Sequence, residues 1–252
     1  MKSFEKDNLK VNIYDTRKLM GEAAAKDVAA KLKDLLAKKE TVRMIFAAAP
    51  SQNEVLETLV NDKSIAWDRV DAFHMDEYVG LPVDAPQGFG NFLNNAIFSK
   101  LPFKSVTYIN GQIDPKIACT EYADKLSAAP VDIVLMGVGE NGHIAFNDPP
   151  VADFNDKEVI KPVKLDEICR NQQVNDGCFK NINEVPTHAL TLTVPTLFNA
   201  DYLFCVVPAK TKANAIFSMI NGDISEKCPA SILRKHNNAV LYLDTDSASN
   251  LK

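Results

Sequence analysis

The chain has 252 residues, 46% of them hydrophobic and 24% charged, with a formal net charge of −5. That is an average globular composition at a length one α/β unit can span, so a single domain over residues 1–252 with a sizeable core is expected. The acidic balance and the absence of a basic stripe argue against nucleic acid as a partner, and no apolar run approaches the ~20 residues a membrane span needs.

In chain order, residues 16–39 read as a first helix: Leu19, Ala23, Val28, Leu32 and Leu35 recur at roughly helical spacing behind a cap at Asp15 or Thr16. Arg43–Ala48 reads as a buried strand, and Pro50, Ser51, Gln52 and Asn53 as a turn feeding a helix to about Val60. A short strand over Val70–His74 ends in a polar loop, and residues 88–100 suggest a helix. Val131–Met136 is the clearest buried strand and runs into Gly137-Val138-Gly139. Further strands are expected near Ala189–Val194, Tyr202–Val207 and Ala239–Leu243, with a helix from about Thr211 to Ile220. Apolar strands alternating with helical segments predict an α/β, Rossmann-like fold: a mainly parallel sheet flanked by helices on both faces. In such sheets ligands bind beyond the carboxyl ends of the strands, which selects the loops at 48–53, 74–81, 137–148 and 207–212.

Two of these loops carry chemistry-bearing residues in unusual density. In His74-Met75-Asp76-Glu77-Tyr78 adjacent carboxylates follow a strand. Extended backbone points neighbours in opposite directions, so one acid can face a cleft while the other faces solvent or a structural partner. A carboxylate in a partly dry cleft can act as a base, although a solvated acidic loop is the commoner outcome. In 137–148 three glycines within six residues flank His143, and Asn141 and Asp148 are near enough in sequence to orient its ring. The pattern GxGxxG at 137–142 is a weak dinucleotide signal, because HIAFNDPP does not read as the helix that should follow. The 48–53 turn aims backbone N–H groups at a potential anion but contains Pro50 and no glycine, and read alone it is an ordinary helix cap. Lys210 and Lys212 sit at a helix entry, where a cation meets solvent or an anion.

The five cysteines, Cys119, Cys169, Cys178, Cys205 and Cys228, are odd in number and widely spaced, and are expected as reduced thiols without a metal-site pattern. The charged N-terminal segment does not resemble a secretory signal, so the cytoplasm is the expected location.

MDEYVGLP at 75–82, GVGENGHIAFNDP at 137–149 and HALTLTVPTL at 188–197 resemble the glucosamine-6-phosphate deaminases (isomerases), with a lysine after the 202–207 strand in keeping. The likeness runs from the first helix to near the end of the chain. The related 6-phosphogluconolactonases continue the Gly-His loop as GHTASLFP, whereas this chain has GHIAFNDP. The resemblance implies conversion of glucosamine 6-phosphate to fructose 6-phosphate and ammonia, within amino-sugar metabolism and without metal or organic cofactor. It assigns pyranose ring opening to His143, proton transfer from C2 to C1 through an enolamine to Asp76, and orientation of His143 to Asp148. Lys212 and the 48–53 turn would bind the phosphate.

Family members usually have Asp where this chain has Asn141 and Glu where it has Asp148. The phosphate-clamping arginine has no clear match at 170–173, which reads RNQQ, and Arg170 is the nearest substitute. The candidate catalytic residues are therefore Asp76, His143, Asn141 and Asp148, and the candidate substrate-binding residues Ser51, Gln52, Glu77, Gly139, Arg170 and Lys212. The chain lacks the longer C-terminal segment of allosterically regulated members, so no such regulation is expected. A homo-oligomer stays open. Two alternatives remain: a lactonase-type or isomerase-type enzyme on another sugar phosphate that uses His143 but not Asp76, and a non-catalytic sugar-phosphate sensor, kept alive by Asn141.

Overall fold

The computed structural model describes residues 1–251. A hairpin opens the chain: β1 (Lys2–Lys6) pairs antiparallel with β2 (Leu9–Tyr14) across a turn at Asp7, whose φ is 53°. Charged residues alternate with Phe4, Val11 and Ile13 here, so the hairpin has no continuous apolar run in the sequence. The helix α1 (Arg17–Leu36) begins at Thr16, whose hydroxyl accepts from Leu19 N–H at 3.2 Å. Its buried stripe is Met20, Ala24, Val28, Leu32 and Leu35; Leu19, expected on that stripe, faces solvent. The helix also ends at Leu36, short of the expected residue 39.

β3 (Val42–Phe46), α2 (Asn53–Asn61), β4 (Val70–His74), β5 (Asp76–Tyr78), α3 (Phe89–Leu93) and β6 (Ser105–Thr107) follow. Next come α4 (Pro115–Leu126), β7 (Ile133–Met136), β8 (Ile160–Lys164), α5 (Glu167–Asn175), β9 (His188–Leu192) and α6 (Val194–Phe198). β10 (Tyr202–Val207), α7 (Ala213–Asn221) and β11 (Ala239–Asp244) complete the chain. Eight strands form one sheet in the order β1-β2-β11-β10-β7-β3-β4-β6, parallel except at the β1–β2 hairpin. A second, antiparallel sheet has the order β5-β9-β8.

Period-two alternation along the central strands splits the core into two layers. Met44, Phe46, Ile133, Leu135, Phe204 and Val206 pack with α1 and α2, whereas Ile45, Val134, Met136, Leu203, Cys205 and Val207 pack with α4, α6 and α7. The expected parallel sheet with helices on both faces is therefore present. The chain moves from β3 to β4 on one side and later returns to β7 on the other, so the sheet reverses its winding direction between β3 and β7. Such a reversal opens a crevice at the carboxyl ends of the flanking strands. Among the described residues no helix is long and apolar enough to cross a membrane.

Candidate active site

A cavity occupies that crevice. Its walls are Ala47–Gln52 after β3, Met75 and Asp76 after β4, Gly137–Gly139 after β7, and Pro208, Ala209, Thr211 and Lys212 after β10. Four neighbouring parallel strands thus each deliver one loop to a common point.

Asp76 is placed by a change of sheet. β4 ends at His74, whose backbone N–H and carbonyl are both engaged by the Tyr122 hydroxyl, at 3.0 and 2.6 Å. Two residues later Asp76 opens β5 and pairs with Thr191 of β9. The Asp76 side chain is buried, and it lines the cavity. Burial, reinforced by the neighbouring Glu77 charge, holds its carboxyl well above the ordinary aspartate range. His74, fully enclosed, is pushed down to about 4 by burial and stays neutral, its Nε2 accepting from Ile109 N–H at 2.8 Å.

Glu77 points the other way and does not line the cavity. Its Oε1 accepts from Tyr78 N–H and Phe89 N–H, both at 3.0 Å, and its Oε2 from Gly90 N–H at 2.8 Å. The carboxylate thereby ties the start of α3, which brings Phe89 to the cavity wall. The alternation expected for the acidic pair is realised, with a structural partner for Glu77 in place of a substrate contact.

The glycine-rich loop positions His143. Gly139 N–H donates to the His143 carbonyl at 2.9 Å, and Gly142 N–H to the Gly139 carbonyl at 3.0 Å. Gly142 has a φ of +87°, where a side chain would be strained. A Cβ on Gly139 would lie 2.1 Å from His143 Cε1, so the imidazole rests directly on that glycine. His143 Nδ1 is 2.8 Å from Asp148 Oδ1, although the ring N–H is not aligned for a full hydrogen bond.

Asn141 completes this arrangement differently from the expected ring contact. Its Oδ1 accepts from the His143 backbone N–H at 3.1 Å, and its Nδ2 donates to Asp148 Oδ1 at 2.9 Å. One amide therefore holds both the histidine backbone and the carboxylate, and neither Asn141 nor Asp148 lines the cavity itself. Burial alone would raise the Asp148 carboxyl. The His143 contact, with donation from Asn141 and the Cys169 thiol, outweighs it and leaves Asp148 below the ordinary range. His143, Asp148 and Cys169 bring potential ligand atoms within 4.8 Å of one another, yet burial pushes the Cys169 thiol far up and keeps it protonated. All five cysteines are free.

Ser51, Gln52, Gly139 and Lys212 all line the cavity. Gln52 donates from Nε2 to Ser51 Oγ at 3.1 Å and to the Val206 carbonyl at 3.2 Å, which docks the 50–52 turn against the end of β10. Lys212 is buried, and burial lowers its ammonium against the opposing influence of Asp176 and Glu140. It forms no ion pair among the described residues, so the cavity holds a largely uncompensated cation.

Arg170 is not in this cavity. Its guanidinium donates to the carbonyls of Ile182 and Val185, at 2.6 and 2.9 Å, and fixes the loop after α5. The positions reaching the cavity from this helix are Gln172 and Gln173, followed by Asp176. They share the buried face of α5 with Cys169, at i+3 and i+4. That helical spacing is the signal for these positions in a segment that is otherwise polar. Arg17, Phe89 and Phe146 also line the cavity and were not singled out in the sequence.

A family model described as glucosamine-6-phosphate isomerases/6-phosphogluconolactonase matches residues 15–242. A glucosamine-6-phosphate deaminase of Clostridium acetobutylicum is 33% identical over 246 residues, covering 96% of this chain and 98% of that protein. A namesake from Listeria innocua is 33% identical over 209 residues, 82% of this chain and 87% of its own length. Among solved structures, a monomeric glucosamine-6-phosphate deaminase superposes with a TM-score of 0.86 at 27% identity, covering 95% of this chain and 99% of that one. A 6-phosphogluconolactonase of Thermotoga maritima, at 19% identity and a TM-score of 0.77 over 94% of this chain and 99% of that one, shares the fold. The chain therefore belongs to the family of glucosamine-6-phosphate isomerases/6-phosphogluconolactonase.

Proposed function

We propose that this protein is a glucosamine-6-phosphate deaminase, converting glucosamine 6-phosphate and water to fructose 6-phosphate and ammonia. The observation that carries the reading is the shared cavity: Asp76, with its raised carboxyl, and His143, backed by Asp148, face one enclosed space that also contains Lys212.

Each group suits one step. His143 takes the proton of the anomeric hydroxyl and returns one to the ring oxygen, which opens the pyranose; Asp148 below it stabilises the charge carried in between. In the open aldehyde the C2 proton is made acidic by the adjacent carbonyl. Asp76 removes it to give an enolamine and delivers a proton to C1, leaving an imine at C2 that water hydrolyses with loss of ammonia. A buried carboxylate is a stronger base than a solvated one and is held at a fixed distance from its carbon. Lys212 supplies the positive charge for the phosphate.

Supplying glucosamine 6-phosphate to the purified protein should yield ammonia and fructose 6-phosphate in equal amounts. Release of neither, together with hydrolysis of 6-phosphogluconolactone, would replace this reading with the lactonase one. Stabilisation by the sugar phosphate without any product would favour the sensor.

A further inference from the structure

We propose that Arg17 is a phosphate-binding residue of this site and takes the place of the arginine that α5 does not supply. The inference rests on the sugar-phosphate reading above and goes beyond it in naming the group that recognises the anion.

The 50–52 turn offers a phosphate few backbone donors. Pro50 has no N–H, Gln52 N–H is spent on the Ala49 carbonyl at 2.9 Å, and Asn53 N–H on the Pro50 carbonyl. Ser51 remains, with a hydroxyl that receives Gln52 Nε2 and so has its own proton to give. A cradle this poor in N–H groups needs charged donors. The cavity walls contain two basic side chains, Lys212 and Arg17. Arg17 arrives from the first turn of α1, and one of its N–H groups donates to the Pro50 carbonyl in the turn itself. Its Nε donates to Glu54 Oε1 at 2.7 Å. These two contacts fix the plane of the guanidinium and leave Nη1 without a partner among the described residues. Gln52 meanwhile ties the same turn to Val206, the residue two before Pro208 on the strand leading to Lys212. Arg17, Ser51 and Lys212 therefore line one cavity and offer it a planar fork, a hydroxyl and a point charge. Asp76 and His143 line the same space, so an anion held by these three would leave the sugar carbons to them.

The test uses inorganic phosphate as probe, with wild type, Arg17→Gln, Arg17→Lys and Glu54→Gln. Wild type should be stabilised against heat by phosphate, and phosphate should compete with glucosamine 6-phosphate. Arg17→Gln should weaken phosphate inhibition by about tenfold or more and raise KM by a similar factor, with kcat within about twofold. Arg17→Lys should fall between the two, because it keeps the charge and loses the fork. Glu54→Gln removes the ion pair and leaves the guanidinium, so phosphate should bind as well as to wild type or better. Equal phosphate affinity in wild type and both Arg17 variants would overturn the proposal, as would equal weakening by Glu54→Gln, which marks a purely structural arginine. Failure of phosphate to stabilise wild type overturns it too. Arg17-dependent phosphate binding without ammonia release would remove the deaminase reading and leave the anion site standing. If Arg17→Gln does not fold, the comparison of Arg17→Lys with Glu54→Gln decides.

Discussion

Asp76 and Glu77 show how adjacent identical charges acquire opposite functions from one peptide's rotation. Glu77 receives three backbone N–H groups, whereas Asp76 receives no such support and is buried beside the cavity. Its folded-state carboxyl lies above its unfolded value, so the folded chain keeps a proton over a range in which the unfolded chain has lost it. The associated stability is present below about pH 4 and disappears as pH rises through the folded value, so at neutral pH the buried acid is a cost. Asp76→Asn should therefore melt at a higher temperature than wild type at pH 7, and the advantage should vanish near pH 3 in a melting series.

Asn141 makes a second residue-scale prediction. After the His143 contact, its amide is a further donor that helps Asp148 stay ionised in a buried place. Asn141→Asp, which restores the residue usual in the family, would set two carboxylates in contact within this chain's geometry. One of them would have to hold a proton, and as pH rises through its raised value the pair would gain a second negative charge and lose stability. The variant should come closest to wild type in melting temperature at about pH 5 and fall furthest behind at pH 7–8. A faster enzyme at neutral pH would show that Asp148 relaxes away from the new charge.

At the scale of elements, the site is made from strand ends and the turns that follow them. One of these turns is strained: Ala209 adopts φ 81° and ψ 146°, a region that only glycine occupies without penalty. Its N–H is held by Asp244 at 3.1 Å, and it lines the cavity just before Lys212. Ala209→Gly should relieve roughly 1–3 kcal/mol of strain, against about 0.4–1 kcal/mol of added unfolded-state freedom. A modest rise in melting temperature is expected. A fall would mean that the methyl group's packing outweighs the strain.

The elements that carry the motifs were the legible ones. Ile133–Met136 and Tyr202–Val207 are apolar because both faces of their sheet are covered, and each leads into a loop dense in glycine or lysine. The β1–β2 hairpin, β8 and α5 were missed because polar residues interrupt their apolar positions, leaving no apolar run of strand length or clear helical stripe. The same cause hid the second sheet, in which β9 pairs with β5 and β8 rather than extending the main sheet. Asp76, His143 and Lys212 could be found from motifs. Arg17 could not, since its approach to the 50–52 turn depends on how α1 packs against α2.

For the whole molecule, function and stability occupy opposite ends of the parallel strands. At the amino end of β3, the guanidinium of buried Arg43 donates to the carbonyls of Lys125, Leu126 and Ala129, closing the end of α4 against the sheet. Arg43→Met would leave those carbonyls without their donor and should cost about 2–4 kcal/mol of stability. Because the cavity lies at the carboxyl ends, kcat of the folded variant should remain within about twofold of wild type. A selective loss of kcat would show that the two ends of the sheet are coupled.

In the proposed reaction a single buried carboxylate moves the C2 proton in a cavity it shares with His143. Ammonia release from glucosamine 6-phosphate by Asp76→Asn, compared with wild type under saturating substrate, measures that step. A loss of at least about 100-fold is expected in a variant that melts no lower than wild type at pH 7. Turnover within about twofold of wild type would contradict it.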